Sequence, residues 1–439
     1  MLARGALVLL ASSASLSPAQ TGAVRVVVDA SATRQTIDGF GFSVRTWTDP
    51  HMSNQPTTWV PDWAQTEVLR RLYREMGATR SFLTIDGGIE PVNDNADPFV
   101  LNASAFNFTG RRSDEQVQYI RQAKPVGLEV FYPKVMAFEK WMTPAQTDEY
   151  VEWAMALLLH WRSLGAEPPY YSLINEPRGS LINEWWLRVV KGLGARMRKA
   201  GLRTMLVIPE EINACVAVPA VRAVLADPEA RAYVGAIAYH EYEYQANAAE
   251  CRAQLRQLAQ AAGVPLWMTE HSLGMGYDNA LAWGKEVQRL LVEDGVSAVD
   301  FMWGYFGAWE KLGAALIELE FTSNGLVRTL RTHAYYVTGQ YARYLKRGDR
   351  IVDARSDDPA VSATAATGRG ELSIVLVNEA REPREARVQV RGFRGRSASA
   401  ERTTMSEAWV KTEARLEDGD TLVIALAPKS VTSLRMSAN

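Results

Sequence analysis

From about residue 38 to about residue 335 the sequence repeats one alternation eight times. Each repeat is a short apolar run suited to a strand, followed by a longer stretch suited to a helix. The expected strands are Asp38–Ser43, Thr79–Ile85, Leu128–Tyr132, Tyr170–Asn175, Thr204–Ile208, Val234–His240, Pro265–Glu270 and Ala298–Trp303. Thr143–Trp161 and Leu181–Lys199 are the clearest helices, with apolar residues three and four apart. Eight such units imply an α/β fold, a (β/α)8 TIM barrel. An open doubly wound sheet is the alternative, but no glycine-rich phosphate turn follows any of the strands.

The two ends of the chain differ from this middle. "AVRVVVDASATRQTIDGFGFSV" alternates apolar and polar residues and then turns on Gly39 and Gly41. From about Leu345, short strand-like runs recur between turn residues: "ELSIVLVNEA", "EARVQVRGF" and "TLVIALAPKSVTSLRM". The expected division is a signal peptide at 1–20, N-terminal sandwich strands at 21–37, a catalytic barrel at 38–338 and a C-terminal β-sandwich at 339–439. The leader has Arg4, an apolar stretch from Ala6 to Ala11, and small residues Ser17 and Ala19 before the cleavage point. That run is far shorter than the ~20 residues of a membrane span, so the expected location is extracellular or periplasmic. Export makes a Cys215–Cys251 disulfide possible, with two free buried thiols the alternative. Asn102 and Asn107 head glycosylation sequons.

Lys plus Arg number 48 and Asp plus Glu 50, so no basic field points to nucleic acid. The 13 tryptophans suit a core, and also a cleft in which sugar faces stack on rings. The five histidines show no paired ligand spacing, and neither metal nor cofactor is expected.

"SLINEPRGSLINEWW" contains the same five residues twice, ending in Glu176 and in Glu184. The first copy is strand-like and stopped by Pro177, which puts Glu176 at the C-terminal end of the fourth strand. In a barrel that end carries the active site. The second copy follows Gly179-Ser180, with Ser180 expected to cap a helix and Glu184 on its first turn. Glycoside hydrolysis needs two carboxylates. The second is Glu270, ending the seventh strand in "VPLWMTEHS", across the barrel mouth. Glu176 is then the acid/base, its pKa raised by the neighbouring charge, and Glu270 the ionised nucleophile. Glu210 and Glu211, which end the fifth strand, and Glu241 and Glu243 beside Tyr242 are not given the chemistry.

"QTIDGFGFSV", "SLINEP", "LWMTEHS" and "AYYVTGQYARYLKRGDRIV", in that order, resemble glycoside hydrolase family 30 and its close relatives. The resemblance spans nearly the whole chain after the leader. It implies a secreted retaining β-glycosidase acting on an oligo- or polysaccharide, with the acid/base on strand four and the nucleophile on strand seven. It further implies that Arg80 holds active-site carboxylates and that Asn175 bonds the sugar 2-hydroxyl. His240 or Tyr242 would orient Glu270, and Trp303 would be the platform beneath the sugar. The family's "WSPP"-like turn is replaced by "FYPKVMAFEKWMTP", where Trp141 stands in a similar place. "TIDGGIEPVNDNADP" also departs from common members, and these loops line the cleft. The rival reading is a carbohydrate-binding protein on the same fold that has lost turnover.

Overall fold

A computed structural model describes residues 23–52, 59–242, 245–308 and 315–438. The expected leader at 1–20 and Glu243 lie outside the described residues. Eight parallel strands close into a barrel: β2 (Gly39–Val44), β3 (Arg80–Ile85), β4 (Val130–Val135), β5 (Tyr170–Ser172), β6 (Met205–Glu211), β7 (Val234–His240), β8 (Leu266–His271) and β9 (Ala298–Trp303). Most of their residues are buried on both faces, which is why they read as near-continuous apolar runs. The preceding strand, β1 (Val24–Thr36), stands outside the barrel.

The helices wrap the strands in sequence order. They are α1 (Asp62–Leu69), α2 (Asp114–Ala123), α3 (Thr147–Ser163), α4 (Asn183–Lys199), α5 (Ala214–Ala226) with a short α6 (Pro228–Arg231), α7 (Ala248–Ala262), α8 (Tyr277–Val292) and α9 (His333–Ala342). A small sheet of β10 (Tyr305–Gly307), β11 (Ile317–Thr322) and β12 (Gly325–Arg331) is inserted before α9. Helix α4 begins at Asn183 after an extended Ile182, with no side-chain cap, so Ser180 does not cap it. Glu184 lies on its first turn, exposed and paired with Arg188 at 2.7 Å. Cys215 and Cys251 form a disulfide that ties α5 to α7.

The remaining strands are β13 (Arg350–Ser356), β14 (Val361–Gly368), β15 (Glu371–Asn378), β16 (Arg384–Arg391), β17 (Ser397–Thr403), β18 (Val410–Thr412), β19 (Ala414–Glu417), β20 (Thr421–Leu426) and β21 (Ser430–Ser437). With β1 they form one ten-stranded, largely antiparallel sheet in the order β18-β17-β21-β15-β14-β13-β1-β16-β20-β19. Val24, Val26 and Val28 of β1 alternate inward and join Ile374, Val388, Ile424 and Leu434 in one apolar cluster. The sheet curls so that β17, next to one end, approaches β19 at the other, which makes it the sandwich expected from both chain ends.

The barrel interior is layered. Phe82, Tyr132, Val207, Ala236, Ala238, Trp267 and Ala298 fill its lower part, separate from the larger core between strands and helices. Arg80 and Asp300 lie among them, fully buried and joined at 2.8 Å, with the guanidinium carbon 4.1 Å from the Trp267 ring centre. Above this floor, at the C-terminal strand ends, the interior is charged.

Candidate active site

Five ionisable side chains meet at that end. His240 closes β7, and its Nδ1 lies 2.7 Å from Glu176 Oε1 in the turn after β5. Its Nε2 lies 3.1 Å from Glu210 Oε2 on β6 and 3.2 Å from Lys134 Nζ on β4. The Lys134 ammonium is 3.0 Å from Glu210 and 3.5 Å from Glu270 Oε2 on β8. Thr269 donates to Glu210 as well.

Two irregularities aim these groups inward. The β6–β7 register slips between Pro209 and Glu211, which makes Glu210 an extra, bulged residue. The β7–β8 register slips between Tyr239 and His240, so that His240 pairs with Glu270 and both Thr269 and Glu270 reach the cluster. Glu176 and Glu210 both adopt left-handed backbone, φ 43° and 56°, and the Glu176 amide donates to the Glu210 carbonyl at 2.9 Å. Such conformations cost about 1–3 kcal/mol each and persist where surrounding bonds enforce them.

Burial would raise the Glu210 carboxyl, but Lys134, His240 and Thr269 outweigh it and hold it down at about 2. Burial also works against Glu176, whose bond to His240, with the charges of His240, Lys134 and Arg178, keeps it below the ordinary value. His240 is pushed up despite burial, by the Glu270 charge and by its bonds to Glu176 and Glu210, with Lys134 opposing. This reverses the sequence expectation for Glu176. Its carboxyl is lowered, because the neighbour at bonding distance is an imidazole rather than a second carboxylate. The 2.7 Å contact between His240 Nδ1 and Glu176 Oε1 is short enough for the two groups to share one proton.

Glu176, His240 and Glu270 each offer a ligand-type atom, all within 4.8 Å of one another. The trio does not suit a metal cation, because the Lys134 ammonium already faces both His240 Nε2 and Glu270. The arrangement suits proton transfer beside a carboxylate nucleophile. The nearest Glu176 and Glu270 oxygens lie no more than 4.8 Å apart.

The other expected site residues fall in several places. Asn175 precedes Glu176; its amide donates to Val135, and its buried Oδ1 has no hydrogen-bond partner among the described residues. His240 bonds Glu176 and lies 4.0 Å from Glu270, so it orients the expected acid/base rather than the nucleophile. Tyr242 sets its ring edge-on to His240, centroids 6.2 Å apart, and 5.4 Å from His271. Trp303 ends β9, half-buried, with the Arg45 guanidinium 5.2 Å from its ring centre and Phe306 beside it. Trp141, in the loop after β4, donates to the Glu90 carbonyl at 2.7 Å and braces the long loop after β3.

Arg80 is not at the mouth. It is the first residue of β3, and along the β3–β4 register it lies four residues below the level of Lys134. That is about 13 Å at ~3.3 Å per residue. Its partner is Asp300 on the barrel floor. Glu211 accepts from the Gly179 amide and steadies the turn after Glu176. Glu241 points outward to Arg289 and Arg252. Sequence reasoning missed Lys134 and the part played by Glu210.

No protein-family model matches the chain, and no curated protein matches it in sequence. Solved structures do. A GH30 endoxylanase from Clostridium papyrosolvens superposes with TM-score 0.75 at 20% identity, covering 94% of this chain and 100% of that one. The catalytic domain of GH30 xylanase C from Talaromyces cellulolyticus gives 0.75 at 17%, with the same coverage. An endo-β-1,6-glucanase gives 0.72 at 16%, covering 94% of each chain. Barrel and accessory sheet together, the chain therefore has the fold of the solved GH30 glycoside hydrolases.

Proposed function

We propose that the chain is a retaining β-glycosidase of family 30 or a close relative, acting on a β-linked oligo- or polysaccharide. The observation that carries this reading is the pair of carboxylates, Glu176 and Glu270, with oxygens within 4.8 Å at the C-terminal barrel mouth. Retaining enzymes keep their carboxylates ~5–5.5 Å apart, inverting ones ~6.5–9.5 Å. Glu270 attacks the anomeric carbon as the glycosidic C–O bond breaks, and Glu176, taking the proton from His240, passes it to the leaving oxygen. Water then attacks the glycosyl-enzyme, giving its proton back to Glu176 and releasing Glu270. By the family resemblance Asn175 is assigned the sugar 2-hydroxyl and half-buried Trp303 the sugar face. The similar structures named above act on xylan or β-1,6-glucan, which supports a polysaccharide substrate. The leader-like N-terminus and the Cys215–Cys251 bridge support export.

The test is product release from a panel of β-linked glycans and aryl β-glycosides, with the first-formed anomer read by NMR. Glu176→Gln and Glu270→Gln are run beside wild type. One substrate cleaved with retention, and both variants slower by several orders of magnitude, is the expected result. Inversion, or variants as fast as wild type, overturns the assignment. Binding without cleavage moves the reading to a carbohydrate-binding protein.

A further inference from the structure

The expected mouth arginine is absent from its place: Arg80 serves the barrel floor. A different cation occupies the centre of the carboxylate cluster. Lys134 is fully buried, and its Nζ contacts Glu210 at 3.0 Å, His240 Nε2 at 3.2 Å and Glu270 at 3.5 Å. Below it, the nitrogen lies 3.8 Å from the Phe82 ring centre, which excludes water from that side. We propose that Lys134 is the positioning residue of this site, its ammonium neutralising the Glu270 carboxylate and fixing the proton arrangement of His240. For its chemistry this rests on the glycosidase reading.

The argument is one of charge and donors. Three carboxylates, Glu176, Glu210 and Glu270, face the same small volume, and like charges so close do not all stay ionised unaided. An ammonium has three hydrogens and no lone pair. Held between Glu210 and Glu270, the ammonium can only donate toward His240 Nε2, so Nε2 accepts from it and the ring hydrogen stands on Nδ1, facing Glu176 Oε1. That leaves Nδ1 as the position through which the proton is exchanged with Glu176. The other ionisable groups near the cluster among the described residues include Arg178, 3.7 Å from Glu176, Glu211 and His271 on the strands flanking His240, and the Arg80–Asp300 pair on the floor. Without Lys134, three carboxylates are left facing one imidazolium, and the cluster takes up a proton at a higher pH. The Glu270 carboxylate then has no cation at contact distance to balance its charge.

The test has two arms. In the first, the pH dependence of kcat/KM is measured for wild type, Lys134→Met, which removes the charge at similar length, and Lys134→Arg, which keeps it. The acid limb is expected to move up by about one to two pH units in Lys134→Met, and kcat/KM at the foot of that limb to fall about 10–100-fold. Lys134→Arg is expected to restore the limb. A folded Lys134→Met variant with the wild-type profile, or an arginine variant no better than the methionine, overturns the proposal. The second arm needs neither turnover nor the methionine variant. The side-chain ammonium signal of Lys134 is followed by 15N NMR in lysine-labelled wild type and in Glu270→Gln, and assigned by its loss in Lys134→Arg. A shift on removing the Glu270 charge supports the proposal, and an unmoved signal overturns it. If wild type cleaves nothing, the glycosidase reading fails in the first arm while the second still decides the coupling.

Discussion

Arg80→Met separates a floor residue from a mouth residue. Arg80 and Asp300 are fully buried and 2.8 Å apart. At an effective dielectric near 20 the gross attraction is about 6 kcal/mol, most of it offset by the desolvation of both charges. Removing one partner strands the other, which ordinarily costs about 3–5 kcal/mol. Burial, against the pull of Arg80, has already pushed the Asp300 carboxyl up to about 6. In Arg80→Met the aspartate therefore escapes by taking a proton, easily in mild acid and with more difficulty in alkali. The expected loss is about 3 kcal/mol near pH 5, and larger near pH 8. For a domain of this size that is about 5 °C in Tm at the lower pH. Arg80→Met/Asp300→Leu, which leaves no orphan charge, is expected to recover most of it. The assay is thermal unfolding at both pH values, with kcat/KM of the folded fraction on the substrate found by the glycan panel. Activity within a few-fold of wild type is expected. A loss of 100-fold or more with unchanged Tm would show that Arg80 does serve the catalytic carboxylates and would refute the placement argued above.

Cys215→Ala/Cys251→Ala opens a bridge with a sequence separation of 36; the chain-entropy relation then gives about 4 kcal/mol, read as a lower denaturant midpoint. Glu210 is depressed to about 2 by the groups around it despite burial. Its contribution to stability is thus present above its unfolded value near 4.3 and lost as pH falls toward 2. Glu210→Gln is expected to flatten the acid unfolding curve in that window, and a curve parallel to wild type would contradict it. Trp303→Ala is expected to raise KM about 10-fold with a smaller change in kcat if the indole is the sugar platform; a change in kcat alone would count against it.

Much of the barrel was legible in the sequence because its strands are apolar on both faces. Val234–His240 and Ala298–Trp303 are found end for end as expected. Both misses sit behind prolines. The third strand was expected to end at Tyr132 and the fifth at Ile208, yet β4 runs through Pro133 to Val135 and β6 through Pro209 to Glu211. A proline removes a ladder donor and ordinarily marks a strand's end or a bulge. Lys134, just past the first proline, was not read as part of its strand, and Glu210, just past the second, was read at the end of its strand but given no part in the chemistry; both turn into the barrel. The role of His240 was half legible: its place at the strand end follows from the alternation, but which carboxylate it meets depends on the bulges in β6 and β8. Arg80 went wrong by level rather than by strand, since a residue type gives no height within a barrel.

The seating of β1 sets a timetable for the nascent chain. Val26 lies beside Ser356 on β13 and Val388 on β16, positions 330 (356 − 26) and 362 (388 − 26) residues later. At ~5–20 residues per second of synthesis, β1 waits about 16–70 s for its neighbours to exist. During that wait its valine edge has nothing to pair with, while the barrel between is already able to form. The last segment made thus secures the first, and a chain cut short before β16 would leave β1 with one flank bare.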